Sequence, residues 1–352
     1  MKQTLLICVL LASAIRGQAV QLNITVDERM ELLTTVQLLA NYSLLTPSDI
    51  AYKNEVAEHF AAYKDMDAVK IVSVIKNEYF AFSAAPTYIY HYSLPGFEQT
   101  SPFTDEDKDI LDYEQNKETL TRLVVALKDF YVQSHFHEFY LQHRIMYDSM
   151  IHSVQAAIGD KDVIATMEHH YGSSNPAYNI VLTPLLHDGG FAVKTVSEKG
   201  NTLYAIIGPQ ADSKATPVFN SKNLLQMYVL HEFSHPFCNP LIDKYYRLLE
   251  ADTCLLNPIL ASQEQQGYGN WKECLYEHLV RANELVLTKT ILGEAESGKI
   301  YKEYYDDRQW IYLKGLVPLI EQYTHNRDRY KSLDDFMYVI IDYFSKEAQK
   351  CH

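Results

Sequence analysis

His231-Glu232-Phe233-Ser234-His235 is the stretch of this chain whose residue types and spacing can do chemistry. On an α-helix, residues four apart sit one above the other, so the two imidazoles can reach a single tetrahedral ion. Glu232 follows the first histidine directly and can swing toward a water at that ion. It would take a proton as the water attacks a carbonyl and later pass it to the leaving amine. The set predicts peptide hydrolysis at one Zn2+ per chain, with His231 and His235 as metal ligands and Glu232 as the catalytic base. With 14 His in 352 residues, a random chain of this composition shows the motif on the order of a few per cent of the time. The context lowers that further. Leu224, Leu225, Met227, Val229, Leu230 and Phe233 make the surroundings apolar, and a His-Glu pair is costly to bury there without a use. Pro236 and Asn239-Pro240 predict that the helix ends or kinks sharply just past the second ligand.

A third protein ligand must come from elsewhere. A metzincin continuation needs glycine three residues after His235 and histidine three further on, but Cys238 and Leu241 stand there. Glu277 is the preferred third metal ligand, and Glu250, Glu273 and His278 are the other candidates. Glu277 lies on a strong helical pattern, and Arg281 one turn on can orient or neutralise its carboxylate. His135, His137 and His143, and the pair His169-His170, are poor ligand sets because neighbouring helical side chains diverge. For the residue that steadies the oxyanion, Tyr245, Tyr246, Tyr304 and Tyr305 all have suitable hydroxyls.

These residues need elements to position them. Asp27-Glu28 opens a helical pattern through Met30, Leu32, Leu33, Val36, Leu38 and Leu39, and Thr46-Pro47-Ser48-Asp49 predicts a helix running toward Tyr63. Leu120 to His152 predicts one long helix or two joined by a kink, and the composition breaks near Gly159-Asp160-Lys161. Tyr178 to Thr183, Phe191 to Val196 and Leu203 to Ile207 then read as strands of a small antiparallel sheet. Helical spacing resumes at Leu224 and continues to the C-terminus. The strand Leu203 to Ile207 is expected to line the cleft and pair with an extended substrate backbone.

Met1-Lys2, the apolar run Leu5 to Ala14 and the small residues of Gly17-Gln18-Ala19 predict a signal peptide over residues 1–19. About ten apolar residues fall short of the roughly twenty that span a bilayer. The expected localisation is secreted or periplasmic, with no membrane span. Removing residues 1–19 takes Lys2 and Arg16 and no acid, so the formal charge of −14 becomes −16, a field that repels phosphate backbones and excludes nucleic acid as a partner. A peptide or protein substrate remains the expected partner. Cys238, Cys254, Cys274 and Cys351 allow three disulfide pairings, none with CxxC spacing, and a disulfide at Cys238 is expected over a free thiol.

Val26 to Leu33, Phe136 to Tyr140, Ile206-Ile207-Gly208-Pro209, His231 to Pro240 and Glu277 to Ala282 together resemble a family of secreted bacterial proteins catalogued as a domain of unknown function. The similarity spans nearly the whole chain after residue 19. Members are treated as gluzincin-like HExxH metallopeptidases, which implies two His and a Glu as ligands and, by position, favours Glu277 over its rivals. The expectation is thus an α+β, mainly helical, zincin-like protein with a small antiparallel sheet and an HExxH helix. A helical N-terminal region (20–160) would lean on a zincin-like catalytic region (161–352) as one compact unit. The alternative is a zinc-containing cell-surface binding or adhesion protein with that fold and little turnover, against which an intact Glu232 argues.

Overall fold

The computed structural model describes residues 22–103, 107, 114–198, 200–210, 213, 216–219 and 224–351. The expected signal peptide lies outside them. The described chain opens with a short strand, β1 (Leu22–Thr25), and turns into α1 (Glu28–Leu39). Asp27 caps that helix, its Oδ1 accepting from the Arg29 amide at 2.8 Å, because first-turn amides have no partner within the helix. Leu32, Leu33 and Val36 are fully buried, as the dense apolar spacing implies. The next helix, α2 (Ala51–His59), starts later than Thr46 to Asp49 suggest. Thr46 Oγ1 accepts from the Ser48 amide (3.2 Å) and Asp49 Oδ1 from Asn54 Nδ2 (2.6 Å), so these groups shape the preceding turn instead of capping the helix.

After α3 (Asp67–Ile75) and α4 (Ala84–Tyr90), the stretch expected as one or two helices forms three. They are α5 (Glu114–Gln133), α6 (Phe136–Gln142) and α7 (Arg144–Ile158), broken at a left-handed His135 and again at His143. No glycine or proline marks these breaks. Packing sets the first: Phe136 stacks on Phe60, with ring centres 5.5 Å apart. The expected boundary at Gly159 is present, with φ +63° ending α7, and α8 (Val163–Tyr171) follows behind an Asp162 cap.

The strands β2 (Ala177–Leu182), β3 (Gly190–Ser197) and β4 (Gly200–Ile207) join β1 in one sheet of order β1-β2-β4-β3. The sheet is mixed, not antiparallel. β1, β2 and β4 run parallel, with Ile24 opposite Ile180 and Ile180 opposite Ala205, and only β3 is antiparallel. The chain passes from β2 to the far edge and returns by the β3–β4 hairpin into the gap, a crossover that strand patterning does not reveal. With both edges of β4 already bonded, the expectation that Leu203 to Ile207 pairs with substrate fails. The outer strands of the sheet are β1 on one side and β3 on the other. One face of the sheet carries Tyr178 against Phe233, ring centres 5.3 Å apart, and the other carries Tyr204 against Tyr90 at 4.2 Å. The sheet therefore stands between the early helices and the HExxH segment.

That segment enters through wide π-helical turns, Leu224–Leu230, and continues as α9 (His231–Tyr245) with Pro236 and Pro240 inside it. The helix does not end at Pro236. Each proline removes one backbone donor and crowds the preceding turn, but Phe233, Cys238 and Ile242 are fully buried along α9, and this packing carries it past both. Beyond it come α10 (Leu260–Gln265), α11 (Trp271–Leu292), α12 (Glu294–Lys302), α13 (Leu313–His325) and α14 (Leu333–Ala348). A disulfide joins Cys254 to Cys351, and Cys238 and Cys274 are buried free thiols. Cys238 is therefore not in a disulfide. It sits in the helical core, 3.8 Å from both the Tyr171 hydroxyl and Asn283 Nδ2, and burial pushes its thiol up to about 12. No helix among the described residues is long and apolar enough to cross a membrane.

Candidate metal centre

His231 and His235 occupy the start of α9 and point the same way, with Nε2 atoms 3.2 Å apart. Glu277, on α11, brings Oε2 to 3.6 Å from His231 Nε2 and Oε1 to 3.5 Å from His235 Nε2. Bonds of about 2.0–2.1 Å at a tetrahedral angle place ligand atoms about 3.4 Å apart, so the spacing suits one small cation. Of the rival third ligands, Glu250 is exposed and Glu273 lies in the first turn of α11 with its amide bonded to the Asn270 cap. His278 turns away, its Nδ1 bonded to the Cys274 carbonyl (2.7 Å) and its ring 4.8 Å from Trp310.

The far side of each ligand is held. His231 Nδ1 donates to Glu284 Oε2 at 2.9 Å, and His235 Nδ1 to Asn239 Oδ1 at 3.2 Å. With those protons committed, both Nε2 lone pairs and the Glu277 oxygens converge on one point. Without a cation such an arrangement is repulsive; with one it is a coordination site. Burial depresses the His231 pKa well below the ordinary value, helped by Arg281 and His235, and keeps the ring neutral as ligation needs. Glu284 is fully buried and accepts from the Tyr304 hydroxyl at both oxygens (2.8 and 3.0 Å); burial pushes its carboxyl up to about 8 against the pull of Arg281. Arg281 Nη2 donates to Glu277 Oε2 at 2.7 Å, as its spacing predicts, and its guanidinium lies 4.5 Å from the Tyr304 ring centre.

Glu232 is 6 % exposed and has no hydrogen-bond partner among the described residues. Burial raises its pKa well above the carboxylate range, Glu277 and Glu284 add to this and Arg281 opposes it. It lies under the first residue of β3: a Cβ on Gly190 would sit 2.8 Å from Glu232 Oε1. This is a carboxyl group poised to hold or release a proton beside the three converging ligands.

The family described as Domain of unknown function (DUF4932) matches residues 22–343. The chain belongs to this family. No curated protein and no solved structure matches it.

Other histidines of this DUF4932 member stay apart from the centre. His137 meets Glu28 (2.9 Å), His143 meets Glu55 (3.1 Å), and buried His170 bonds Asn283 Oδ1 (2.7 Å). Tyr304 spends its hydroxyl on Glu284, Tyr245 bonds Asp334 (2.9 Å), Tyr305 stacks on Tyr301, and Tyr246 lies under Lys272. Two residues escaped sequence reasoning although the periodicity marks them. Asn239 continues the 231, 235 series by another four, and Glu284 is two turns beyond Glu277 on the same side of α11. Tyr268 carried no such signal: burial raises its pKa, and the nearby Glu277 adds to the rise.

Proposed function

We propose that the protein is a secreted zinc metallopeptidase of the gluzincin-like HExxH type. The observation that carries this reading is the convergence of His231, His235 and Glu277 at tetrahedral spacing, each with its outer side bonded, next to the otherwise unpartnered Glu232. A zinc ion held there would supply Lewis acidity toward a water and toward the carbonyl of a peptide bond. Glu232 is placed to take the proton of the attacking water and hand it to the leaving amine, and its raised pKa suits the second half of that task. β3 is an outer strand of the sheet and its first residue, Gly190, lies against Glu232, so an extended peptide laid beside Gly190 would bring its backbone past the base.

The deciding experiment compares wild type with Glu232→Gln for bound zinc and for cleavage of an unfolded protein. Both should hold about one zinc, as a single site of this kind implies, and only wild type should cleave. Absence of zinc from both would remove the metal centre itself. Zinc without cleavage in wild type would point to the binding or adhesion protein instead.

A further inference from the structure

Two guanidinium groups lie beside the Tyr304 ring, whose hydroxyl bonds Glu284, and among the described residues only Arg281 is paired with an acid. Arg281 is closed by Glu277. Arg308 follows the π-helical turn Glu303–Asp307 and is fastened at both ends to the α10 segment. Its Nε donates to Gln266 Oε1 at 2.8 Å, and its carbonyl accepts from Gln266 Nε2 (2.9 Å), Ser262 Oγ (3.3 Å) and Gln263 Nε2 (3.3 Å). The guanidinium carbon is 5.4 Å from the ring of Tyr304, the residue that bonds Glu284 behind His231. Both Nη groups lack a partner among the described residues, in a chain with 45 acids to 31 Lys and Arg.

Burial and the neighbouring Arg281 both oppose a second cation here, and they lower the Arg308 pKa. Half-burying an unpaired cation is costly unless something compensates it. Because Nε is pinned, the free edge is the planar Nη pair, the two-donor face that matches a carboxylate.

We propose that Arg308 binds a carboxylate of the substrate beside the metal centre, so that peptides are selected by a negative charge near the bond to be cut. The charge is either the C-terminal carboxylate or an Asp or Glu side chain, and the proposal rests on the peptidase reading above.

The test uses a mixed hexapeptide pool in which every sequence is present as C-terminal acid and amide, and with Asp and Asn at each interior position. The pool is equilibrated with zinc-loaded Glu232→Gln protein and the bound peptides are counted by mass spectrometry. One of the two charged forms should be enriched about tenfold to a hundredfold, the scale of a charge-assisted hydrogen bond, and which one identifies the source of the carboxylate. Adding Arg308→Gln should bring the enrichment to about onefold at unchanged zinc content and melting temperature, while Arg308→Lys should keep part of it. Enrichment that survives Arg308→Gln, or bound peptide with no charge preference, overturns the proposal. Enrichment without any cleavage of the pool by wild type would sink the peptidase reading and leave Arg308 as an anion site. Cleavage by wild type without enrichment would do the reverse.

Discussion

Glu284 does not join the converging ligand atoms, yet its 2.9 Å bond to His231 Nδ1 decides which nitrogen of that ring carries the proton and which presents a lone pair. Tyr304 holds the same carboxylate through both oxygens, so the orientation of His231 depends on a chain of bonds reaching from α9 through α11 to the segment after α12. Glu284→Ala should therefore lower zinc affinity by about tenfold to a hundredfold, the usual effect of losing a partner behind a ligand. Competition with a chromophoric chelator measures it, and an affinity within twofold of wild type would mean that Glu284 does not orient the ring. At this scale much of the centre was legible in the sequence. His231, Glu232 and His235 follow from one motif, Glu277 and Arg281 from one helical turn. The place of Arg308 beside the Tyr304 ring was not, because nothing in its neighbours Asp307 and Gln309 announces it. The disulfide expected at Cys238 fails for a related reason: the count of cysteines cannot say that a thiol three residues past His235 turns into the core.

Among the elements, the helices were largely legible and the sheet was not. Apolar spacing marks α1, α9 and α11, but the same spacing runs unbroken through Ser134-His135, where aromatic packing and not a helix breaker ends α5. Alternation marks β2, β3 and β4, whereas the four residues of β1 are too few to show it. Their order was beyond local reading, since β4 enters between β2 and β3 by long-range pairing. One consequence is local: of the two outer strands, β1 and β3, it is β3 that meets Glu232, at Gly190. There a methyl group would lie 2.8 Å from Glu232 Oε1 and 2.9 Å from the Ile206 carbonyl, and the second of these belongs to a paired strand that cannot yield easily. Gly190→Ala should displace the Glu232 carboxylate, reducing kcat while leaving zinc content unchanged and lowering stability by about 1–3 kcal/mol, the range for crowding a packed site. Turnover, metal analysis and denaturant midpoints read the three separately. A fully active Gly190→Ala would show that β3 does not confine the base.

For the molecule as a whole, buried titratable groups that turn away from the converging ligand atoms pull stability in opposite directions as pH falls. Burial lowers His170 to about 4 and His278 to about 3, so between pH 6.5 and the region of 4 the unfolded chain binds two protons that the folded chain refuses. Folding stability is then complete above 6.5 and declines on acidification, by up to about 1.4 kcal/mol per pH unit for each histidine. Glu31 works the other way. Buried among α1, α2 and α7, with Tyr52 and Tyr147 bonded to Oε2 and no partner for Oε1, it is pushed up to about 7. Its folded form keeps a proton that the unfolded form loses above 4.5, so its contribution is complete below 4.5 and is lost as pH rises through 7. Between 4.5 and 6.5 Glu31 therefore offsets one of the two protons that these histidines take up on unfolding, and flattens the fall in wild-type stability on acidification. Glu31→Gln removes that offset, so in this window the variant should lose up to about 1.4 kcal/mol more than wild type per pH unit of acidification. Relative to wild type, the variant should be least stable near pH 4.5 and should gain on it steadily up to pH 7. Denaturant midpoints of both proteins at matched saturating zinc test this, because the metal centre titrates identically in each and cancels in the difference. Parallel pH profiles would mean that Glu31 is ionised in the folded protein, and that the Tyr52 and Tyr147 hydroxyls stabilise a buried carboxylate instead of a neutral acid.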